Sequence, residues 1–385
     1  MTKAMKQNHK FHFSIPNFQL FIALCTVMFS SCVNDLPYDE QIGAPRLVLN
    51  ALLLPDSTLT ATVGRTAHFL DSEEPQRLAD ATVMATINDT ELPLTYSSDT
   101  KDYRNTYTLR SGDKVALTAS HTIGTATASA QVMSPTPLAI VGTTMQPFTN
   151  PGDPVSLATL NDVDSAMLVS LHIDDPAEET NYYRLTIDYY GTYLARYPES
   201  IYGDYYQGKQ DEDSDYFVAE ESFYPHYLLT ESSSRLAIDS ESAGQFLGGL
   251  LYLTSYNSLI FTDEQLRSTD GQTIVDFLML MESPRTSGEM FDPESGWFTG
   301  NEWADGFIFP SDTVSHATYH YHFMLETLSE DYYRYLNTAS SYSILGGTFV
   351  GEPTHIHTNI HGGLDIVGSY SSSPCDGKRE HWLNK

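Results

Sequence analysis

Cysteine, cationic side chains and long apolar runs are all scarce in this chain. Of 385 residues three are cysteine and 20 are Lys or Arg, against 50 Asp or Glu, for a formal net charge of −30. So acidic a surface repels phosphates and anionic head groups, which argues against nucleic acid and favours cations or basic partners. No apolar run reaches the roughly twenty residues that a membrane-spanning helix needs. There is no G-x-S-x-G elbow to hold a nucleophilic serine. Paired carboxylates of the glycosidase kind are set in space and not by spacing, so among 50 acids any pair would be arbitrary. No catalytic residue is therefore assigned, and the expectation is a protein that is not an enzyme.

The apolar run that does exist is short and placed with purpose. Residues 1–17 carry Lys3, Lys6 and Lys10 and no acid; Phe18 to Phe29 is apolar; Ser30 and Ser31 then precede Cys32. A basic end, a short apolar helix and small residues form a secretory signal. Phe29-Ser30-Ser31-Cys32 resembles the box that ends a bacterial lipoprotein signal, with Phe in place of the usual Leu. Cys25 competes poorly, because Leu24 precedes it and cleavage there would halve the apolar run. The expected arrangement is a signal peptide over 1–31 and lipidation at Cys32. Two or three acyl chains anchor stably, since each buried methylene contributes about 0.8 kcal/mol. Residues 32–44 form an acidic tether whose Asp35, Asp39 and Glu40 resemble the signal that sends some Bacteroidota lipoproteins to the cell surface. Loss of 1–31 removes three lysines and no acid, leaving 20 − 3 = 17 basic against 50 acidic residues, a net −33. With Cys25 removed and Cys32 acylated, Cys375 has no partner for an intrachain disulfide.

Beyond the tether the apolar pattern runs at period two. "LVLNALLL", "TLTATVGRTA", "ATVMATIND", "ELPLTYS", "TYTLR", "KVALTASH" and "TATASAQV" are short, rich in Val, Thr and Leu, and separated by turn formers such as Asn88-Asp89 and Ser111-Gly112-Asp113. Seven such strands at spacings of about ten residues predict an immunoglobulin-like antiparallel β-sandwich over 45–133. A proline-rich linker is expected over 134–155. A larger antiparallel β domain follows over 156–374, and a polar tail over 375–385. Its strands are "AMLVSLHID", "NYYRLTIDYYG", "SLIFTDE", "TIVDFLMLM" and "ATYHYHFMLETL"; the stretch 193–242 reads as a long loop insertion. One short helix is signalled, with Ser329 as cap, Glu330 and Asp331 at the positive end of its dipole, and Tyr332, Tyr335 and Leu336 on one face. The fold class is mainly β.

Five stretches in order carry a resemblance: "PRLVLNALLLPDS", "IDDPAEETNYYRLTI", "LIFTDEQLRSTDGQTIVDFLM", "LETLSEDYYRYLNTAS" and "GTFVGEPTHIHTNIHGGLDIVGSYSSS". Together they resemble the Bacteroidota outer-membrane lipoprotein family called domain of unknown function 4249. Within them, Arg184 is expected to pair with an acid, and Gly362-Gly363 to turn "LDIVGSY" back as a final strand. The resemblance implies an outer-membrane anchor and a place beside a TonB-dependent transporter, as an accessory in nutrient capture; exposure at the cell surface is expected from the acidic tether. It names no ligand. "TFVGEP" departs from the family pattern in detail, and the histidines of "HIHTNIH" stand outside it.

Those histidines are weighed on their own. His320 and His322 share one face of a strand, as do His355 and His357 if their segment is one, because side chains alternate. Were the two strands paired, the four imidazoles would converge beside Glu326 or Glu352 as a Zn²⁺ site. The plainer reading is an aromatic-rich sheet that gathers histidine without metal, so no cofactor is expected. "DEDSD" alternates Asp211, Asp213 and Asp215 as calcium loops do, but lacks their glycine and downstream glutamate. Tyrosines from 189 to 217 suit a ligand or partner contact, with Tyr193, Tyr197, Tyr202, Tyr205 and Tyr206 as candidates; the alternative is that they pack the loop on its own domain. The favoured function is a lipid-anchored, non-catalytic binding or accessory subunit. Its rivals are a metal-dependent hydrolase using the His316–His322 and His355–His361 segments, and a surface adhesin or structural module.

Overall fold

Alternating burial along the first strand sets the pattern for the whole chain: in "LVLNALL" Leu47, Leu49, Ala51 and Leu53 point inward and the residues between them do not. The computed structural model describes residues 44–67, 76–149, 163–176, 179–198, 209–210, 216–230, 237–238, 245–247, 250–253, 256–266, 273–282, 316–346 and 355–382. The strands of the first half are β1 (Leu47–Leu53), β2 (Thr58–Arg65), β3 (Gln76–Arg77), β4 (Thr82–Ile87), β5 (Thr90–Ser97), β6 (Asp102–Thr108), β7 (Lys114–His121), β8 (Gly124–Gln131), β9 (Leu138–Pro147) and β10 (Ser165–Ile173). Next come β11 (Tyr182–Pro198), β12 (Lys209–Gln210), β13 (Tyr216–Phe223), β14 (Tyr227–Leu229), β15 (Ala237–Ile238), β16 (Gln245–Leu247), β17 (Leu250–Leu253), β18 (Tyr256–Thr262) and β19 (Ile274–Leu280). The chain closes with β20 (His316–Leu328), β21 (Gly363–Leu364) and β22 (Val367–Trp382). Among the described residues two helices interrupt the strands, α1 (Asp263–Leu266) and α2 (Glu330–Gly346). The fold is mainly β, as the alternation predicts.

One sheet runs β12-β13-β11-β20-β22-β1-β2-β6-β5-β4-β7-β8, and a second runs β16-β17-β14-β19-β10-β9. All seven strands expected before residue 133 form. Their core, from Leu47 to Val132, also takes in Ile360 and Val367 from the far end of the sequence. A second core gathers Met167 to Leu325, with Tyr183, Tyr189, Tyr227, Tyr319, Phe261, Phe277 and Phe323 fully buried.

Pro45 to Lys385 is one compact unit. Strand β22 is shared, running parallel to β1 at Ala51↔Val367 and antiparallel to β20 from Leu328↔Tyr370 to His316↔Trp382. Several expected boundaries are corrected by this arrangement. The span 134–155 holds β9, in register with β10, because Pro137 and Pro147 stand at the strand's ends and deny its interior no donor. Residues 375–382 are not a tail but the last half of β22, with Asp376, Lys378 and Glu380 pointing out. The stretch 193–242 is not one loop: β11 continues to Pro198 against β13. The helix is longer than expected, 17 residues, and it rests on the sheet through Tyr332 on Tyr370 and Tyr333 on Tyr182. The division at 133 and 156 is therefore crossed by strand pairing and by shared core residues.

A belt of hydroxyls joins the two cores. The Ser369 hydroxyl donates to the Leu53 carbonyl (2.8 Å) and accepts from the Met133 amide (2.9 Å). The Thr136 amide and the Thr327 hydroxyl meet beside it, at 3.1 Å. Ser329 does not cap α2 as expected: its Oγ accepts from the Ser369 amide, while its own amide donates to the Ser369 carbonyl.

Candidate functional site

The histidine expectation is tested by strand parity and by pairing. Along β20 Ala317, Tyr319, Tyr321 and Phe323 are buried, which turns Thr318, His320 and His322 to the opposite face. His320 stacks on Tyr190 at 4.7 Å between centroids and 10° between planes, and lies 3.3 Å from the Thr192 hydroxyl. His322 pairs with Asp376 across the β20–β22 ladder. His355 and His357 lie outside any strand, beyond α2. His355 is exposed, and His357 contacts Asp331 at 2.9 Å through Nε2. The neighbours of β20 are β11 and β22, so the four imidazoles do not converge. Among the described residues no three His, Cys, Asp or Glu side chains stand close enough to hold a metal ion. The pairing partner, not the parity, undoes the Zn²⁺ reading. His361 exchanges backbone bonds with Thr127 and so serves the fold. His316 lies 3.9 Å from Glu380.

Glu326, the carboxylate expected beside that cluster, is instead bound by the Arg184 guanidinium, its cross-strand neighbour. The expected pairing of Arg184 with an acid is thus met within the sheet.

The tyrosines divide. Tyr193 is 3% exposed and packs edge-on against Phe223, so its ring serves the core and not a partner surface. The same is true of Tyr189 and Tyr319, whose hydroxyls reach the carbonyls of Leu280 (2.9 Å) and Glu282 (2.7 Å). Burial pushes the phenol pKa of both well up, so they stay neutral. A tyrosine fills core volume here while its polar tip finds a carbonyl at the rim. Tyr197 lies in β11. Tyr202, Tyr205, Tyr206 and the Asp211–Asp215 run lie outside the described residues, as do the signal segment, Cys32 and the tether. Cys375 is a free thiol packed at the edge of the second core.

A different place has the shape of a binding site. Between the outward face of β4, β7 and β8 and the start of α2 lies a cleft of about 700 Å³, within the range typical of ligand sites. One side is built from two cross-strand rows, Thr86–Ala116–Ser129 and Asn88–Lys114–Gln131. Across from them stand Ser329, Glu330 and Asp331. Asp331 is held by His357 and Asn359, and Glu330 by Arg334. Among the described residues the side chains of Thr86, Asp89, Lys114, Ser129 and Gln131 have no hydrogen-bond or ion-pair partner. Sequence reasoning passed over these residues because outward polar positions on a strand look alike whether water or a ligand faces them.

Asp113 fixes the corner of the cleft. It is 6% exposed and accepts from the Asn88 amide (2.7 Å), the Tyr107 hydroxyl (3.1 Å) and the Arg110 backbone N–H (2.9 Å). Burial raises its pKa, but these donors together outweigh burial and hold the carboxyl below its ordinary 3.8. The folded state thus binds this proton less readily than the unfolded chain, so the carboxylate's stabilising share is present above pH 3.8 and is lost as pH falls through the folded value. We expect Asp113→Asn to cost about 2 kcal/mol at pH 7, and the gap to wild type in urea melts to shrink between pH 4 and pH 2. A gap constant over that range would refute the assignment.

Comparison with known proteins adds a family but no activity. No curated protein matches the chain. A solved structure titled "Biofilm associated protein - BSP domain" is 8% identical, with 86% of this chain and 58% of that one overlapping at a TM-score of 0.19, a likeness that carries no argument. This chain thus spans less than two thirds of that structure's length. The family described as "Domain of unknown function (DUF4249)" matches residues 33–374, from just after Cys32 to the middle of β22, and the chain belongs to it.

Proposed function

We propose that this chain is a lipid-anchored lipoprotein of the Bacteroidota outer membrane, acting as a non-catalytic accessory subunit beside a TonB-dependent transporter. The observation that carries the reading is the run Phe29-Ser30-Ser31-Cys32 at the end of an apolar segment, followed by an acidic stretch and then, from Leu47, by the alternating buried residues of β1. That order gives a signal, an acylated cysteine, a solvated spacer and then a folded β body. Its acidity supports the same reading, since a surface of net −33 (17 − 50) is held away from anionic head groups while the acyl chains hold the amino end. Among the described residues no helix is long and apolar enough to cross a membrane.

Replacement of Cys32 tests the anchor. Wild-type protein should sediment with envelopes and carry diacylglycerol on that sulfur by mass spectrometry, while Cys32→Ala should move to the soluble fraction. An unmodified thiol in mature protein, or Cys32→Ala that still sediments, sinks the reading. The partner is tested by affinity capture through a tag after Lys385 in mild detergent, where a large β-barrel protein should co-purify. Recovery of the monomer alone counts against the accessory role.

A further inference from the structure

Two rows of side chains on β4, β7 and β8 narrow what can fill the cleft above them. In the first, Ala116 lies between Thr86 and Ser129; in the second, two residues further along, Lys114 lies between Asn88 and Gln131. The first row thus presents hydroxyl, methyl, hydroxyl, and the second amide, ammonium, amide. Neighbours within a row are about 5 Å apart and the rows about 7 Å apart. Asn88 is already engaged, since its amide donates to Asp113 (2.7 Å) and its oxygen accepts from the Lys114 N–H (3.0 Å). Among the described residues the open groups are therefore Thr86, Ser129, Gln131, Lys114 and, at the β4–β5 turn, Asp89.

These groups exclude most ligand classes. The two unpaired charges, Asp89 and Lys114, cancel, while Glu330 is engaged by Arg334 and Asp331 by His357 and Asn359. Nothing in the cleft then selects an ionic ligand of either sign. Most ligand pockets hold their guests by apolar and aromatic contact; this one is lined by no aromatic ring, and its one valine, Val115, is buried. Nor can a peptide add as a strand, because the returning chain at His361 to Gly363 closes the far side of β8. What remains is a neutral molecule that donates and accepts at several points. A hydroxyl does both, an ammonium only donates and a carboxylate only accepts, so a ligand rich in hydroxyls meets every open group here. The Ala116 methyl, exposed in the middle of its row, offers a small apolar seat for the C–H face of a ring.

From this juxtaposition we propose that the cleft binds a neutral saccharide, with one ring over Ala116 whose hydroxyls are shared among Thr86, Ser129, Gln131 and Lys114, and a further hydroxyl toward Asp89. A site that meets hydroxyls with fixed partners rejects analogues that lack them, because its own polar groups are then left unpaired. The cleft volume of about 700 Å³ leaves room for more than one ring. The proposal is independent of the tether and of any transporter, because every residue in it belongs to the folded body.

The test is calorimetric titration of the full chain in a zwitterionic detergent, since maltoside and glucoside detergents would compete. The probes are maltotriose, cellotriose and xylotriose, with anionic trigalacturonate and tetraethylene glycol dimethyl ether, which only accepts, as contrasts. At least one neutral trisaccharide should bind with Kd below about 1 mM, and about tenfold or more tighter than either contrast. Ser129→Val removes a hydroxyl from an outward strand position that suits a β-branched residue and should weaken binding about fivefold or more, while Ser129→Thr, which keeps the hydroxyl, should stay within about twofold of wild type. Ala116→Ile raises bulk where the ring should rest and should cost about tenfold or more, which keeps the test alive if a serine variant does not fold. No trisaccharide binding at about 10 mM, equal binding of trigalacturonate or of the ether, or affinity unmoved by both Ser129→Val and Ala116→Ile would each overturn the proposal.

Discussion

Gly362→Ala should destabilise the first core strongly. Gly362 has φ of 78°, in the left-handed region that costs an L-residue about 1–2 kcal/mol. A Cβ there would lie 2.3 Å from the Thr125 carbonyl oxygen, and that oxygen belongs to the backbone of β8 and cannot swing aside. Gly363, its neighbour, is confined less tightly, with the Leu47 carbonyl oxygen 2.8 Å from where its Cβ would be. These two residues pass between β1 and β8, where Leu47↔Gly363 and Thr127↔His361 tie both strands to the returning chain. The tight passage is thus a closure of the first β layer as well as the turn expected from "HGGLDIVGSY". Strain and displacement together should cost about 3–5 kcal/mol. Urea melts should show this loss, and hydrogen exchange should rise at Thr127 and Leu47 before it rises in the second core. A loss under 1 kcal/mol would mean that β8 can shift, and that the passage is looser than its distances imply.

What was legible in the sequence, and what was not, follows from how period two is written. In β2, β4 and β7 the inward positions are Leu, Val, Ile and Ala and most of the outward ones are polar, so apolarity and burial largely alternate together, while in β1 burial alternates although Val48 and Leu52 face outward. In β11 they part company. Tyr189 and Tyr193 are buried, Tyr190 is half-buried and Leu194 is 63% exposed, so the apolar pattern vanishes while the burial pattern persists. That is why 193–198 reads as loop. The end of β22 fails for a related reason: "DGKREHW" has no apolar face, and it is strand because β20 offers each of its seven residues a register partner. The histidines show the limit of local reasoning most clearly. Parity assigns His320 and His322 to one face correctly, but which segment lies beside them depends on residues far away in the chain. The cleft had no signal at all, because Thr86, Ser129 and Gln131 come together only through the ladder β4–β7–β8.

Removing the charge from Arg184 should be among the costliest single changes in the second half, and removing Glu326 as well should restore most of the loss. The two side chains are 22% and 11% exposed and stand opposite one another on β11 and β20. Tyr332, 7% exposed, comes from α2 close enough that the charges of Arg184 and Glu326 both bear on its phenol, whose pKa burial raises. Water therefore has little access to either charge. In such a setting the attraction of the pair roughly offsets the cost of its desolvation, so the pair as a whole contributes little, whereas one charge left alone carries the full penalty. Arg184→Met should then cost about 3–5 kcal/mol, as should Glu326→Met, and the double variant should lie within about 1–2 kcal/mol of wild type. Denaturant melts of the four proteins give the coupling energy directly. If the two single losses simply add, the carboxylate and guanidinium are solvated separately. The seat of α2 on the sheet would then rest on Tyr332 and Tyr333 alone.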